Sequence, residues 1–326
     1  MKRLLRGTAR CVVWWGLASV GWVAAGAQLI PANGVIPQPP PTAPIREWTD
    51  GPGRFRVQLE HNGAVLRGWD YKAGPTGAAH QDSEVQAKGA GSALGRVEAA
   101  MGASHDDQGA AANRDIPVIV FFNGNAMTIY GAEALYQHMA RLGAEVVVYD
   151  YRGYGFSEGV ADVEAFRQDA LAIYDKVVRE YPGRRVVVYG YSLGTAMAAH
   201  VAAERKIGGL VLAAAFATAA EELPVFARRM GLSADEIKTL TPDEGAKTAF
   251  DEVAMVREAG QRNAGAPLLM LHGRDDTLVP MAQGREVFQA SPVKKKQFVE
   301  IPGADHRETV FAEGAFRALG AFLAAH

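Results

Sequence analysis

One cysteine, Cys11, is all the thiol this 326-residue chain carries. An intrachain disulfide is therefore impossible, and the fold must rest on a core large enough to need no covalent staple. The eight histidines are scattered. With no HExxH and no Cys/His cluster, no zinc site is expected. Charge is nearly balanced at −2, and no long basic block lies outside the N-terminus, so no nucleic-acid partner is expected. Lys294-Lys295-Lys296 reads as a solvated loop before a strand. No internal repeat is visible.

Long uncharged apolar runs are equally scarce, with one exception. After the basic "MKRLLRGTAR", the stretch "CVVWWGLASVGWVAAGAQLI" has no charge for twenty residues. Residues 1–30 thus read as a targeting segment in one of two forms. A signal peptide would be cut after Ala27, at the A-x-A site Ala25-Gly26-Ala27. An uncleaved anchor would span a bilayer. Either form places the rest of the chain outside the cytoplasm, periplasmic or held at the inner membrane. A lipoprotein is excluded, because the apolar run follows Cys11 rather than preceding it.

Residues 31–52 form a proline-rich linker, "PANGVIPQPPPTAP" being extended and semi-rigid. A folded domain is expected over 53–326. "RFRVQLE" and "AVLRGWDY" alternate around "HNG" and read as a hairpin. Residues 74–114 are rich in Gly, Ala and polar residues and read as a flexible insertion, with at most a weak helix over Ala93–Met101. Beyond it, short Val/Ile/Leu runs (117–122, 145–150, 185–190, 209–216, 267–273, 296–303) alternate with helical patterns (130–142, 161–180, 193–206, 281–290, 308–325). Continuous apolar runs mean strands buried on both faces. The expected class is α/β, an eight-stranded, mostly parallel sheet flanked by helices. Residues 217–265, with helical pieces near 221–230, 234–239 and 244–259, are too long for a connection and read as a small helical cap.

One strand–helix junction stands out. "VVVYGYSLGTAMAAH" stops a β-branched run at Gly190, places Ser192 between Gly190 and Gly194, and then opens a small-residue helix. The bare G-x-S-x-G is a weak signal; its position after a buried strand makes it a nucleophile elbow. A serine needs a base, and the base needs a carboxylate to orient it. In this architecture the order is Ser, acid, His. "LLMLHGRDDTLVP" offers Asp275 or Asp276 at a strand end, and "VEIPGADHRETV" offers His306 on the loop after the last strand. An oxyanion hole needs two backbone N–H groups. One falls to Leu193; the loop "NGNA" at 123–126 supplies the other, from Asn125 or Ala126. His272, ending a buried strand, reads as structural. Asp150 and Arg152 read as a turn held by their mutual hydrogen bonds.

Taken together these segments resemble the α/β-hydrolase-fold serine hydrolases. The likeness is to the branch with an H-G-N-A oxyanion loop, D-Y-R-G-Y-G-x-S-x-G, G-Y-S-L-G, H-G-x-x-D-x-x-V-P and G-x-x-H. The chain has "NGNA" at 123–126, "DYRGYGFSEG" at 150–159, "GYSLG" at 190–194, "HGRDDTLVP" at 272–280 and "GADH" at 303–306. The likeness runs from Arg54 to the C-terminus, apart from the insertion. It implies an α/β-hydrolase fold and a Ser192–Asp276–His306 triad, with Leu193 and Asn125 amides as the oxyanion hole. It also implies no cofactor and a small-molecule acyl ester or lipid substrate cleaved through an acyl-enzyme. Asn123 departs from it, standing where that branch has histidine. Two rival readings remain. One is a serine-aminopeptidase-type peptidase, which would use acids such as Glu221 and Glu222 for a substrate amine. The other is a membrane-tethered, non-catalytic binding protein of the same fold.

Overall fold

The computed structural model describes residues 28–30, 47–74, 115–229 and 231–325. Residues 1–27 of the expected targeting segment, most of the expected linker, nearly all of the expected insertion and the weak helix within it lie outside the described residues.

Eight strands form one sheet in the order β10-β9-β7-β6-β4-β5-β3-β2. The strands are β2 (Arg54–His61), β3 (Ala64–Tyr71), β4 (Val118–Phe122), β5 (Glu145–Tyr149), β6 (Val186–Tyr191), β7 (Gly209–Ala213), β9 (Leu268–Gly273) and β10 (Lys296–Ile301). From β5 to β10 every pairing is parallel. Strands β4 to β7 and β9 are buried along their whole length, as their unbroken apolar runs require. The antiparallel hairpin β2–β3 is added at the β5 edge. His61 pairs with Ala64, so Asn62-Gly63 is a two-residue loop. Both take positive φ, 46° and 73°, the backbone of a type I′ turn and the reason Asn-Gly stands there.

Helices cover both faces. Helix α1 (Glu133–Arg141) and the C-terminal α9 (Glu313–Ala324) bury Leu135, Tyr136, Met139, Phe316, Leu319 and Leu323 on one face. On the other lie α2 (Val163–Glu180), α3 (Leu193–Glu204), α7 (Glu252–Arg262) and α8 (Met281–Ala290). Helix α2 starts where the Asp162 carboxylate accepts the Ala165 N–H, an N-cap. Helix α3 is buried from Leu193 to Ala203. Sheet, α2 and α7 enclose it, and its alanines let all three approach.

Between β7 and α7 lies the cap: α4 (Ala219–Arg229), α5 (Ala234–Thr239), strand β8 (Leu240–Pro242) and α6 (Glu244–Ala249). Two expectations change here. The helical pattern over 244–259 is split at Phe250-Asp251, where the Asp251 side chain caps α7. Helix α7 belongs to the sheet-covering layer, because Met255, Val256 and Ala259 pack into the main core. The cap thus ends near Ala249 rather than at 265. Residues 28–30, read as the end of the targeting segment, form strand β1 and pair in parallel with β8. Among the described residues no helix is long and apolar enough to cross a membrane.

The chain leaves β4 toward β5 on one side and, after returning to β6, proceeds toward β7 on the other. Between the carboxyl ends of β4 and β6 the winding reverses, which is where open α/β sheets carry their sites.

Candidate active site

Ser192 follows β6 and forms the N-terminal boundary of α3, with φ 52° and ψ −121°, a backbone that L-residues rarely adopt. Its neighbours show why glycine flanks it. A methyl group on Gly190 would lie 2.2 Å from the Gly194 carbonyl oxygen, and one on Gly194 would lie 2.1 Å from that of Phe122. Strand and helix touch backbone to backbone, and the turn between them pushes the serine side chain outward. Ser192 is half-buried.

The three residues predicted as a triad come together. His306 Nε2 lies 2.9 Å from Ser192 Oγ, and His306 Nδ1 lies 2.7 Å from Asp276 Oδ2. The carboxylate can only accept from Nδ1–H, so Nε2 presents a lone pair to the serine hydroxyl; the tautomer is assigned from its partners. Asp276 is fixed from its other side: Oδ1 accepts the N–H groups of Leu278 and Val279 at 2.9 and 2.8 Å. Asp276 is buried and faces His306, whereas Asp275 is exposed. The Tyr191 hydroxyl donates to the His306 carbonyl at 3.0 Å, and its ring lies beside the imidazole. The residue before the serine thus helps hold the base.

His272 is fully buried, and its Nε2–H donates to the Val279 carbonyl at 2.9 Å. Desolvation holds its pKa below the ordinary imidazole value. Its role is to brace the Asp276 turn, and Gly284 gives it room, since a methyl there would meet Nδ1 at 2.4 Å.

The loop after β4 abuts the serine. A methyl on Gly124 would sit 3.4 Å from Ser192 Cβ and 2.8 Å from the Tyr191 ring. Among the described residues neither the Leu193 nor the Asn125 N–H donates to the protein, so both amides remain available. Asn123, fully buried, accepts the Tyr136 hydroxyl through Oδ1 at 2.6 Å, and its carbonyl accepts the Tyr151 hydroxyl at 2.8 Å. The Asn125 side chain accepts from the Tyr154 hydroxyl at 3.0 Å.

Asp150 and Arg152 do not bond each other, contrary to the sequence reading. Asp150 is fully buried and accepts the N–H groups of Ile129 at 2.7 Å and Phe156 at 3.0 Å. It ties the loop after β4 to the turn after β5. Burial pushes its pKa up to about 6. Gly155 faces this carboxylate at a distance no side chain permits: a methyl would meet Oδ2 at 2.1 Å. Arg152 instead grips Asp169 of α2 with two nitrogens, at 2.6 and 2.7 Å. The tyrosines holding the loop were missed from sequence, because their partners Asn123 and Asn125 are 13 to 29 residues away and nothing local marks the contact. A cleft of about 520 Å³ opens elsewhere, lined by Tyr174, Arg184, Arg185 and Arg205 among others. It contains none of these residues.

Comparison with known proteins agrees with this picture. A family model described as serine aminopeptidase, S33, matches residues 114–252. The lysophosphatidylserine lipase ABHD12 of Rattus norvegicus is 30% identical over 202 residues, 56% of this chain and 49% of that protein. An uncharacterized membrane protein of Saccharomyces cerevisiae is 27% identical over 190 residues, 56% of this chain and 62% of that protein. The chain spans about half the length of the lipase relatives it matches. The Pyrococcus furiosus esterase Pf2001 superposes with a TM-score of 0.57 at 16% identity, over 89% of this chain and 97% of that one. Sheet order and these likenesses converge: the chain has the α/β-hydrolase fold and is similar to its serine hydrolases.

Proposed function

We propose that this chain hydrolyses a carboxylic ester through an acyl-enzyme on Ser192. The observation that carries the reading is the unbroken hydrogen-bonded chain from the Ser192 hydroxyl through His306 to Asp276. His306 Nε2 takes the serine proton as Oγ attacks the acyl carbonyl. The amides of Leu193 and Asn125 receive the oxyanion. As the tetrahedral adduct collapses, the imidazolium returns the proton to the leaving alcohol. A water then gives its proton to His306, attacks the acyl-enzyme and releases the acid, restoring Ser192. Asp276 holds the ring and stabilises its charged form throughout. No step needs a cofactor.

A lipid ester is the substrate class favoured here, on the likeness to a lysophosphatidylserine lipase. The apolar run of the N-terminal segment supports attachment to a membrane. That run ends where β1 joins the cap strand β8, so a bilayer-held segment would set the cap beside the lipid surface. Two experiments test these readings. Purified protein is assayed on p-nitrophenyl esters of graded chain length and labelled with a fluorophosphonate. Ester turnover and label on the Ser192 peptide are expected, both lost in Ser192→Ala; label elsewhere overturns the assignment. An alkaline-phosphatase fusion after Pro44 should be active outside the cytoplasm, and fractionation then separates cleavage from anchoring. An inactive fusion overturns the export reading.

A peptidase is the second reading, favoured by the description of the matching family model. Glu221 and Glu222 open α4 of the cap, where a substrate amine would be met. Turnover of aminoacyl arylamides exceeding that of esters would select it.

A further inference from the structure

Beneath the elbow lies an acid that the mechanism above does not use. Glu252, the first residue of α7, is fully buried. Its Oε1 lies 2.6 Å from Thr195 Oγ1, and that same Oγ1 lies 2.5 Å from the carbonyl oxygen of Ser192. Glu252 Oε2 has no hydrogen-bond partner among the described residues.

Three oxygens in a row need two hydrogens between them. The Ser192 carbonyl can only accept. The Thr195 hydroxyl has one hydrogen, and at 2.5 Å from that carbonyl the contact is attractive only if the hydrogen points there. Thr195 Oγ1 is then the acceptor toward Glu252, and the remaining hydrogen must be on the carboxyl group. An ionised Glu252 would set acceptor against acceptor at one of the two contacts and leave a buried charge unpaired. Position at a helix N-terminus alone favours the carboxylate. Complete burial, with Glu222 as the acid whose charge bears on it, drives its pKa well above the ordinary carboxylate range.

We infer that Glu252 is a neutral, proton-donating positioning residue that acts through Thr195 on the Ser192 carbonyl, fixing the strained backbone from which the serine hydroxyl projects. This rests on Ser192 being the nucleophile. The Ser192 carbonyl also accepts the Thr195 N–H at 2.8 Å, so the side chain and main chain of Thr195 clamp one oxygen together. That oxygen's direction is set by ψ of Ser192, the torsion that leaves its peptide plane out of the ordinary regions. Glu252 is held in turn, because its N–H donates to the Ala217 carbonyl at 3.0 Å. Without the acid, the threonine hydroxyl is free to rotate off the carbonyl, and the elbow gains a freedom that displaces Oγ from His306.

The test compares kcat, KM and the fluorophosphonate labelling rate of Glu252→Gln, Glu252→Met, Thr195→Ser and Thr195→Val in the full chain. Gln and Ser keep a neutral donor or the hydroxyl and are expected within about threefold of wild type, whereas Met and Val should lower kcat and labelling by roughly 10- to 100-fold with KM little changed, the scale of a misplaced reacting group. Thr195→Val/Glu252→Met should lose no more than the worse single variant, as for two members of one relay. An infrared difference spectrum of wild type against Glu252→Gln at pH 8 should show the carbonyl stretch of a neutral carboxylic acid, a readout that stands even if the Met variant does not fold. A carboxylate band in its place overturns the inference. So does Glu252→Gln losing as much kcat as Glu252→Met, or Thr195→Val retaining wild-type kcat. If wild type itself is not labelled at Ser192, it is the nucleophile assignment that falls, and the infrared band still reports the protonation state.

Discussion

Gly194 lies against the main chain of Phe122, so that a β-carbon on it would stand 2.1 Å from the Phe122 carbonyl oxygen. The atom in the way is backbone of a central strand and cannot swing aside. Gly194→Ala is therefore expected to destabilise the fold by roughly 2–4 kcal/mol, the range for forced overpacking in a core. Gly265 has open space around its α-carbon; Gly265→Ala should stay within about 0.5 kcal/mol, as surface changes do. Denaturant unfolding of the two variants gives the comparison, and equal losses would show that the close approach does not govern the elbow.

The two adjacent aspartates make a sharper pair. Asp276 Oδ2 meets His306 Nδ1 at 2.7 Å, while Asp275 is exposed and its backbone N–H donates to the Ala304 carbonyl at 3.0 Å. Asp276→Asn should lower kcat by about 10²–10⁴, since an amide cannot hold the same tautomer. Asp275→Asn keeps its backbone bond and should change kcat by roughly tenfold or less. Steady-state kinetics on one ester, with melts to confirm folding, decide it; comparable losses would mean that the pair acts as a unit.

Tyr136 reaches from α1 to the Asn123 side chain under the loop after β4. Tyr136→Phe strands a buried acceptor and should cost about 1–3 kcal/mol of stability. Because that loop carries the Asn125 amide, kcat should fall while KM holds. A variant that loses stability with kcat intact would show that the loop keeps its shape without this bond.

Asp150 gives stability a pH dependence of defined sign. Its carboxyl, ordinarily near 3.8, is pushed by burial up to about 6. The native state therefore holds this proton more tightly than the unfolded chain does, and stability from this group falls as pH rises from about 4 to 6. The full shift is worth about 3 kcal/mol. His200 acts oppositely. Burial, with Arg167 beside it, lowers it to about 4, so its contribution is lost as pH falls through that value. The measurement is thus a difference: Tm of Asp150→Asn minus Tm of wild type, between pH 4.5 and 7.5. It should become less negative with rising pH, and a flat difference would contradict the burial argument.

Much of this was legible in the sequence, for identifiable reasons. Strands such as "PVIVFF" and "RVVVYG" are apolar on both faces, and that pattern has few interpretations besides a covered parallel sheet. The elbow was legible because Gly190 and Gly194 are required by backbone contact, which leaves a trace in residue type. What escaped has no local signature. Glu252 opens a helix, as solvated acids commonly do, and only the packing of α7 over α3 reveals that it is buried. Asp150 and Arg152 are neighbours in sequence, yet their partners are Ile129, Phe156 and Asp169, set by the tertiary fold. The split at Phe250-Asp251 was hidden because buried residues continue on both sides of it; the break is in the backbone torsions of those two residues.

Synthesis order gives the site one more property. His306 follows Ser192 by 114 residues, and β10, the strand that delivers it, lies at the edge of the sheet. A growing or truncated chain that stops before Lys296 has the serine, the elbow and the loop after β4, but no base. Domains assemble as units while synthesis proceeds from the N-terminus, so, on the triad proposed above, the Ser192 hydroxyl would stay an ordinary alcohol in a nascent chain until β10 and the loop that carries His306 have docked.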